Sequence, residues 1–211
     1  MTKQELRLIY LSKRSTFSDE ERARMDLSII RQLIENLQDK QHIGVFLPIA
    51  KFHEIDVREI MQNVQYQWYV PVSNFDDRTM RFSKITPVTQ VGSNAYGIPE
   101  PLSFDFIDPK MLDAIVVPML VADKKGFRVG YGKGFYDAFL PNCRADCLRI
   151  GISYFPPIES ISDVGRHDEP LHLCISPCAT SDVKSGKFKK KILKNWCSTN
   201  CLFKFAASKH K

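Results

Sequence analysis

Residues 114–120 read AIVVPML, seven apolar residues of which three are β-branched. A run that is apolar at every position is typical of a strand buried on both faces, as in the middle of a parallel sheet. Related runs lie on either side of it along the chain. They are residues 42–48, 67–72 and 148–153, a weaker run at 171–176, and an alternating, edge-like run at 80–85.

Helical patterns separate these predicted strands. Capping boxes at residues 2–5 and 18–21 predict a first helix to about residue 13 and a longer second one, and residues 56–59 repeat the pattern before a third helix. In the second helix, apolar residues recur every four positions, at Met25, Ile29, Leu33 and Leu37. Strands that alternate with helices indicate an α/β fold with a mainly parallel sheet covered on both faces.

Composition indicates one globular domain and excludes several classes of protein. Of 211 residues, 44% are hydrophobic and 26% are charged, which is not the profile of a disordered chain. No apolar run approaches the roughly 20 residues that span a bilayer. The first 14 residues lack the apolar segment and cleavage site of a signal peptide, so we expect a cytoplasmic protein.

The net charge of +6 is concentrated in a C-terminal tail. Residues 177–211 hold nine lysines and one aspartate, a charge of +8, so the remaining residues sum to −2. This distribution does not favour a nucleic-acid-binding surface over the whole protein. We therefore expect a catalytic domain at residues 1–176 and a basic tail at 177–211. The tail would bind an anionic surface such as RNA or membrane, pack on the domain, or be disordered.

The six cysteines form three pairs with C-x3-C spacing, and residues 1–142 contain none. Structural zinc sites more often use C-x2-C, and a disulfide framework is not expected without a secretory signal. Free thiols are the favoured interpretation, and a metal or redox role is the alternative. The pairs are Cys143 and Cys147, Cys174 and Cys178, and Cys197 and Cys201.

A glycine-rich loop follows the central strand. Asp123 and Gly126 fit the ends of a type I turn, which predicts a small hairpin. The sequence GYGKG at residues 130–134 then leads into FYDAFL, which has helical spacing. A glycine loop before a helix favours a bound anion, because backbone N–H groups and the helix dipole point at it. Neither the Rossmann nor the Walker A pattern matches, since Phe135 and Gly134 stand at positions that they exclude.

Two interpretations of this loop remain. The glycines can simply make a tight connection. The charged residues around them favour a phosphate site, since Arg128 and Lys133 would offset phosphate charge. Asp137, one turn into the helix, would hold Mg²⁺, which prefers carboxylate, water and phosphate oxygens. This set indicates a nucleoside triphosphate.

Residues 118–140, PMLVADKKGFRVGYGKGFYDAFL, resemble the signature of the 5-formyltetrahydrofolate cyclo-ligase family, also called methenyltetrahydrofolate synthetases. Three other segments and an N-terminal K-x-x-L-R pattern at residues 3–7 resemble the family in the same order. These segments are FLPIAKFHEID, AYGIPEP and RHDEPLH. The resemblance extends to about residue 176. It implies a three-layer α/β/α sandwich in a single domain.

The resemblance also implies a reaction. Family members use ATP and Mg²⁺ to close 5-formyltetrahydrofolate to 5,10-methenyltetrahydrofolate, with release of ADP and phosphate. No obligate protein partner is implied. A non-catalytic nucleotide- or RNA-binding protein of the same fold is the alternative function.

By match to the family, two segments would bind ATP. These are Lys3, Gln4, Glu5, Leu6 and Arg7 in the first helix, and Arg128, Val129, Gly130, Tyr131, Gly132, Lys133, Gly134, Phe135 and Tyr136 around the glycine loop. The spacing of Lys3 and Arg7 places both on one helix face. Without the resemblance, a solvated basic face would be the preferred interpretation. Lys133 and Arg128 are the expected catalytic residues.

The resemblance places the metal at Asp137 and Asp168. The folate would contact Leu47, Glu54, Tyr96, Tyr131 and Lys133. A buried carboxylate suits a pterin, which presents an amino group and a ring N–H side by side. Contact with the formyl end of the ligand is the alternative for Glu54. For Tyr96, core packing is the alternative to stacking on the ligand.

Three features depart from the family pattern. Val72 follows Pro71 where an arginine is often found, so a possible anion contact is absent. The interval between Leu47 and Glu54 is two residues longer than usual, which weakens the assignment of Glu54. The last aspartate of the H-D-x-x-x-D element is replaced by His172, which would weaken metal binding if that position assists the metal.

Overall fold

A computed structural model describes residues 1–182 and the backbone of residues 187–189. Its centre is an eight-stranded sheet, and two further strand pairs form small two-stranded sheets. The strands are β1 (His42–Gly44), β2 (Gln67–Asn74), β3 (Thr79–Ile85), β4 (Val91–Ser93), β5 (Pro99–Pro101), β6 (Ala114–Pro118), β7 (Val121–Ala122), β8 (Arg128–Val129), β9 (Leu148–Ile152), β10 (Leu173–Ser176), β11 (Ala179–Asp182) and β12 (Lys187–Lys189).

The order of the large sheet is β12-β11-β10-β9-β6-β1-β2-β3. Strands β10, β9, β6, β1 and β2 are mutually parallel, whereas β3, β11 and β12 pair antiparallel at the two ends. The mainly parallel sheet predicted from the sequence is confirmed, and so is the edge position of β3.

Strand β6 explains how the sheet divides the hydrophobic core in two. Ala114 and Val116 pack in the cluster beneath helices α1 (Lys3–Ser15) and α2 (Asp19–Leu37). Ile115 and Val117 point to the opposite face and pack in the cluster that contains Phe139 of helix α3 (Phe135–Phe139). Alternate residues of one strand thus serve two helical layers, so the three-layer α/β/α prediction is confirmed.

Both predicted capping boxes of the first two helices are present. Thr2 accepts from the Glu5 amide at 3.3 Å and donates its own amide to the Glu5 carboxylate at 2.8 Å. Ser18 and Glu21 repeat the arrangement at the start of α2. The apolar stripe of α2 is buried as expected, at Met25, Ile29, Leu33 and Leu37.

The helix predicted to begin at residues 56–59 is wrong in type and length. The segment is a five-residue 3-10 helix, Arg58–Gln62. Val57 occupies the N-cap position and makes no side-chain cap. The Asp56 carboxylate accepts from the Arg58 amide at 3.1 Å and from the Arg58 guanidinium at 2.8 Å. The local carboxylate–arginine pair replaces the cap that an α-helix requires.

The hairpin predicted after the central strand is confirmed. The Gly126 amide donates to the Asp123 carbonyl at 3.0 Å, and β7 pairs antiparallel with β8. The Asp123 side chain is buried and accepts from the backbone amides of Lys125, Phe127 and Ile161. This carboxylate therefore fixes the turn that leads into the glycine loop.

The sheet continues beyond residue 176, because β11 pairs with β10 and β12 pairs with β11. The division at residue 176 remains a prediction, and residues 190–211, with the third cysteine pair, lie outside the described residues. The other four cysteines are free thiols. Among the described residues, no helix is both long and apolar enough to cross a bilayer.

Candidate active site

Helix α1 and the glycine loop, the two segments expected to bind ATP, lie against each other. Arg7 Nε donates to the Gly130 carbonyl at 2.8 Å. A Cβ at Gly132 would approach the Arg7 guanidinium to 3.0 Å, and Gly132 has a φ of 83°. Both the close approach and the left-handed backbone therefore require glycine at this position.

Helix α3 begins directly after the loop. Its N-cap residue, Gly134, has a φ of 76°. Lys133 is exposed, and its side chain has no partner among the described residues. Its ammonium group is thus available to an anion placed over the loop.

Arg128 and Asp137 form a partly buried ion pair beside this helix. The Arg128 side chain is 7% exposed and donates to Asp137 Oδ1 at 2.8 Å and to the Glu169 carbonyl at 2.6 Å. The Glu169 amide donates to the same Asp137 oxygen at 3.1 Å. Asp137 is therefore tied to the segment that contains Asp168.

Asp168 pairs with Lys3 of α1 and accepts from the Gly165 amide at 2.6 Å. Burial alone would raise the pKa of Asp168, but the hydrogen bonds from Lys3 and Gly165 and the charges of Lys3 and Arg128 outweigh it. The pKa of Asp168 is consequently lowered. Lys3, Arg128, Asp137 and Asp168, which are far apart in sequence, are brought into one charged cluster.

This cluster offers some, but not all, of the ligands that a divalent metal needs. The hydrogen bonds to Asp137 and Asp168 fall on one oxygen of each, so Asp137 Oδ2 and Asp168 Oδ1 have no partner among the described residues. Within residues 1–182 no group of three or more His, Cys, Asp or Glu side chains converges as a metal site. Two carboxylates completed by water and phosphate oxygens match the habits of Mg²⁺.

His172, which replaces an aspartate of the family pattern, lies behind the charged cluster. Its Nδ1 accepts a hydrogen bond from the Arg149 amide at 3.1 Å. The ring therefore links strand β9 to the residue that precedes β10. The Arg149 side chain pairs with the Glu169 carboxylate at 2.6 Å. The position thus bears on the segment of Asp168 and Glu169 through Arg149.

A second, buried part of the site surrounds Glu54, which is 8% exposed. Its Oε2 accepts from the Ile49 amide at 2.7 Å, across a 3-10 turn at Ala50–Phe52. The longer interval between Leu47 and Glu54 is accommodated by this turn. Burial raises the pKa of Glu54, and hydrogen bonds from Ile49 and Tyr131 and the charge of Arg14 oppose the rise.

Tyr131 links the glycine loop to this buried part. Its ring stacks on Phe52 with centroids 4.6 Å apart, and its hydroxyl accepts from Arg14 at 2.9 Å. Leu47 is buried in the same core cluster that Tyr131 packs against. Arg14 was not identified from the sequence, although it continues the face of Lys3 and Arg7 after two further turns of α1.

Tyr136 lies between the two parts. Its hydroxyl is buried and has no hydrogen-bond partner among the described residues. Burial raises the pKa of Tyr136, the charge of Glu54 raises it further, and the charge of Arg128 opposes both. The charges of Glu54 and of Arg128 therefore both act on this one hydroxyl, with opposite effects on its pKa.

An aromatic group borders the site on the outside. Tyr96 is 53% exposed and stacks on Phe75 with centroids 3.8 Å apart. Phe75 in turn meets Phe135 of α3 edge-on at 5.0 Å. Lys51 donates to the Tyr96 carbonyl at 3.3 Å. Tyr96 is therefore not a core residue, and Phe75 is a neighbour that no sequence motif indicated.

Comparisons with known proteins agree on one family. The sequence model of the 5-formyltetrahydrofolate cyclo-ligase family matches residues 1–164. The 5-formyltetrahydrofolate cyclo-ligase of Mycoplasma genitalium is 27% identical over 183 residues, 82% of this chain and 97% of the relative. The enzyme of the same name from Mus musculus is 28% identical over 138 residues, 60% of this chain and 67% of the relative.

Two solved structures share the fold. The 5,10-methenyltetrahydrofolate synthetase of Aquifex aeolicus superposes with a TM-score of 0.75 at 26% identity, covering 89% of this chain and 95% of the other. A protein of that name from Mycoplasma pneumoniae gives a TM-score of 0.68 at 23% identity, covering 84% and 99%, and this likeness concerns the fold alone.

Proposed function

Because this chain belongs to the 5-formyltetrahydrofolate cyclo-ligase family, we propose that it uses ATP and Mg²⁺ to close 5-formyltetrahydrofolate to 5,10-methenyltetrahydrofolate, releasing ADP and phosphate. It is an enzyme of the ligase class. The observation that carries the proposal is the convergence of α1, the glycine loop and two carboxylates, through Arg7–Gly130 and the contacts of Asp137 and Asp168.

ATP would occupy the surface between α1 and the loop. Lys3, Arg7 and Lys133 would neutralise its phosphates, and the backbone of Arg128–Val129 and residues 130–136 would border it. Gln4, Glu5 and Leu6 complete the helical side of this proposed site. Of these, Leu6 is buried in the core and Glu5 closes the capping box, so both act by holding α1 in place.

Asp137 and Asp168 would hold the metal through the oxygens that carry no hydrogen bond from the described residues. When bound, Mg²⁺ would offset the negative charge that collects on the phosphates during transfer. Arg128 would also help to balance the phosphate charge, because it holds Asp137 in place and adds a positive charge beside it.

The folate would enter the buried part of the site. The Glu54 carboxylate would accept the paired N–H groups of the pterin, with Leu47 and Tyr131 beside it. Tyr96 would stack on a flat part of the ligand, because its ring is already parallel to that of Phe75. Since Tyr131 and Lys133 belong to the glycine loop, one loop would contact both substrates.

The reaction then requires placement rather than a strong acid or base. The formyl oxygen attacks the γ-phosphorus, the bond to ADP breaks, and the formyl carbon becomes electrophilic. N10 attacks that carbon and loses its proton, and the C–O bond breaks with departure of phosphate. Lys133 and Arg128 would stabilise the transferred phosphoryl group electrostatically, while the pocket holds N10 near the carbon.

The test is direct. The full chain is incubated with 5-formyltetrahydrofolate, ATP and Mg²⁺, and the absorbance of the methenyl product is followed together with ADP. We expect one product per ADP, and none without ATP or with excess EDTA. Folded protein that binds ATP without forming product would contradict the proposal and support the alternative, a non-catalytic nucleotide- or RNA-binding protein.

Two further expectations remain proposals. We propose a cytoplasmic location, which imaging of a tagged chain would test. Contact of the basic tail with RNA or membrane concerns mainly residues outside the described part of the chain, and its test is binding by the full chain and by a truncated one.

A further inference from the structure

Arg14 is almost wholly buried, with 2% of its surface exposed. Burying a charge costs several kcal/mol unless strong partners replace water. No carboxylate forms an ion pair with Arg14 among the described residues, and its Nε has no hydrogen-bond partner there. An apolar side chain such as leucine would avoid the cost of burying this charge. The burial of Arg14 therefore indicates a role beyond packing.

Two of the hydrogen bonds of Arg14 lead toward the proposed folate side of the site, and its guanidinium also lies 5.7 Å from the centroid of the Tyr154 ring. Its guanidinium donates to the Met119 carbonyl at 2.6 Å, to the Tyr131 hydroxyl at 2.9 Å and, weakly, to the Phe52 carbonyl at 3.5 Å. Phe52 and Tyr131 are the two members of the aromatic stack. Arg14 therefore holds the loop that carries Tyr131 and the turn that carries Phe52 in one arrangement.

Glu54 lies close enough to the same hydroxyl for its charge to act on Tyr131, and the charge of Arg14 acts on Glu54 in turn. Tyr131 thus lies near a buried cation and a buried anion that form no ion pair with each other among the described residues. Such an arrangement compensates the two charges through one shared neutral group.

We propose that Arg14 is a positioning residue for the folate site: it fixes Tyr131 against Phe52 and places a buried positive charge near the Glu54 carboxylate, which would accept two N–H groups. The inference rests on the proposed function, since the ligand of Glu54 is the pterin. Arg14 itself contacts neither substrate in this assignment.

The expected pH dependence follows from the groups around Glu54. They are Arg14, Tyr131, Tyr136 and the Ile49 amide, and of these only Arg14 carries a positive charge. Because burial already raises the pKa of Glu54, loss of Arg14 raises that pKa further. Folate would bind the ionised form of Glu54. Folate affinity is therefore highest when the pH lies above the pKa of Glu54 and is lost as the pH falls through that pKa. Without Arg14, the loss begins at a higher pH.

The experiment measures binding without turnover. Calorimetry gives the affinity of 5-formyltetrahydrofolate, without ATP or Mg²⁺, between pH 5.5 and 8 for the wild type, Arg14→Met and Arg14→Lys. ATP affinity is measured in parallel. We expect Arg14→Met to weaken folate binding roughly tenfold or more at pH 7 and to change ATP affinity less than about threefold. The fall of folate affinity at acid pH, called the acid limb, should move to higher pH. Arg14→Lys, which keeps the charge, should restore the position of the acid limb.

A matched control is Lys13→Met, which removes a cation from the same turn of α1 where its ammonium lies over the Tyr10 ring. It should leave folate affinity unchanged. Tyr131→Phe keeps the stacked ring and removes the hydroxyl that Arg14 bonds to. The double variant Tyr131→Phe, Arg14→Lys should therefore lose less folate-binding free energy than the two single variants together. This pair serves also if Arg14→Met fails to fold.

Folded Arg14 variants that bind folate like the wild type, with the same acid limb, would overturn the inference. Equal losses of folate and ATP affinity would also overturn it, because they indicate a general disturbance of α1. A folded wild type that binds no 5-formyltetrahydrofolate would instead refute the proposed function, and the inference with it.

Discussion

The two ends of helix α1 present the same kind of charge to very different surroundings. Near its start, the side chain of Lys3 is 21% exposed and pairs with a carboxylate, Asp168. Near its end, Arg14 is 2% exposed and bonds only to uncharged oxygens. Because the side chains of Lys3 and Asp168 both reach solvent, phosphate oxygens can replace the Asp168 carboxylate as the partner of Lys3. Buried Arg14 cannot exchange partners, so its charge is fixed in place.

The difference suggests a division of labour within the proposed site. The outer end would meet ATP, whose phosphates arrive and leave at each turnover, through the partly exposed Lys3 and the exposed Lys133. The inner end would meet the folate, whose recognition would depend on one buried carboxylate, Glu54. Substitutions at the two ends should therefore separate the affinities for the two substrates.

Asp137→Asn should have the largest effect. The amide keeps the shape but removes the charge that would face the metal and Arg128. We expect turnover at saturating substrates to fall by about 10²–10³-fold, because the charge of the transferred phosphoryl group is no longer balanced. The absorbance assay at several Mg²⁺ concentrations measures this.

Asp146→Asn is the matched control for Asp137, since Asp146 pairs with Arg144 on an exposed surface. It should retain wild-type activity. Near-normal turnover of Asp137→Asn at low Mg²⁺ would remove Asp137 from the metal site.

Glu54→Gln should weaken the inner end selectively. Hydrogen bonds to a charged group contribute about 1.5–3 kcal/mol, so the KM for folate should rise by roughly tenfold or more. The acid limb of folate binding should vanish, because the titrating group is gone, while the KM for ATP stays within about threefold. Glu59→Gln, an exposed neighbour, is the control. An unchanged acid limb in Glu54→Gln would assign that limb to another group.

Lys133→Met should weaken the outer end selectively. The variant keeps the aliphatic stem and removes a charge that has no partner among the described residues. We expect the apparent ATP affinity to fall by about tenfold and folate affinity by less. Lys125→Met, in the exposed turn of the preceding hairpin, should leave both unchanged. Equal losses for both substrates would indicate a misfolded loop rather than a lost phosphate contact.

Tyr96→Ala and Phe75→Ala should produce smaller changes. Aromatic stacking contributes about 0.5–1.5 kcal/mol beyond area burial, so folate affinity should fall by roughly three- to tenfold in either variant. Tyr96→Phe keeps the ring and should bind folate normally. Wild-type affinity in both alanine variants would show that this stacked pair lies outside the folate site.

Removal of residues 183–211, most of the basic tail, should have the smallest effect. A chain ending at Asp182 keeps β11 paired with β10, and with it the hydrogen bond between Thr180 and Gln32 at 2.9 Å. We expect turnover within about threefold of the full chain, since no proposed site residue lies beyond Asp168. A soluble, folded truncation without activity would show that residues after 182 complete the site.

A chain ending at Cys178, the boundary that the sequence suggests, tests a different point. It removes β11 and leaves the edge of β10 unpaired, so we expect turnover within a few-fold together with lower stability and solubility. The melting temperatures of the two truncations measure the contribution of β11.

The local sequence was sufficient where the deciding interactions are local. The capping boxes at Thr2 and Ser18 and the turn at Asp123–Gly126 involve residues no more than four apart, and all three are present. The apolar run of β6 likewise predicted its central place in the sheet, because it is apolar at every position. Residues 56–59 show the limit, since Asp56 has a competing partner two residues away in Arg58.

The candidate residues came from motifs, but their arrangement depends on the tertiary structure. Asp137 and Asp168 are brought together by contacts distant in sequence: the Glu169 amide, 32 residues along the chain, donates to Asp137, and Arg128 bonds to both Asp137 and the Glu169 carbonyl. Arg14 and Phe75 carry no motif, and their proximity to Tyr131 and Tyr96 arises where separate elements pack together. The sequence alone determined the α/β class, the first two helices and the hairpin before the glycine loop, through contacts within a turn or strand. The tertiary structure alone decided which charges are buried and which partners they meet, because both depend on residues distant in the chain.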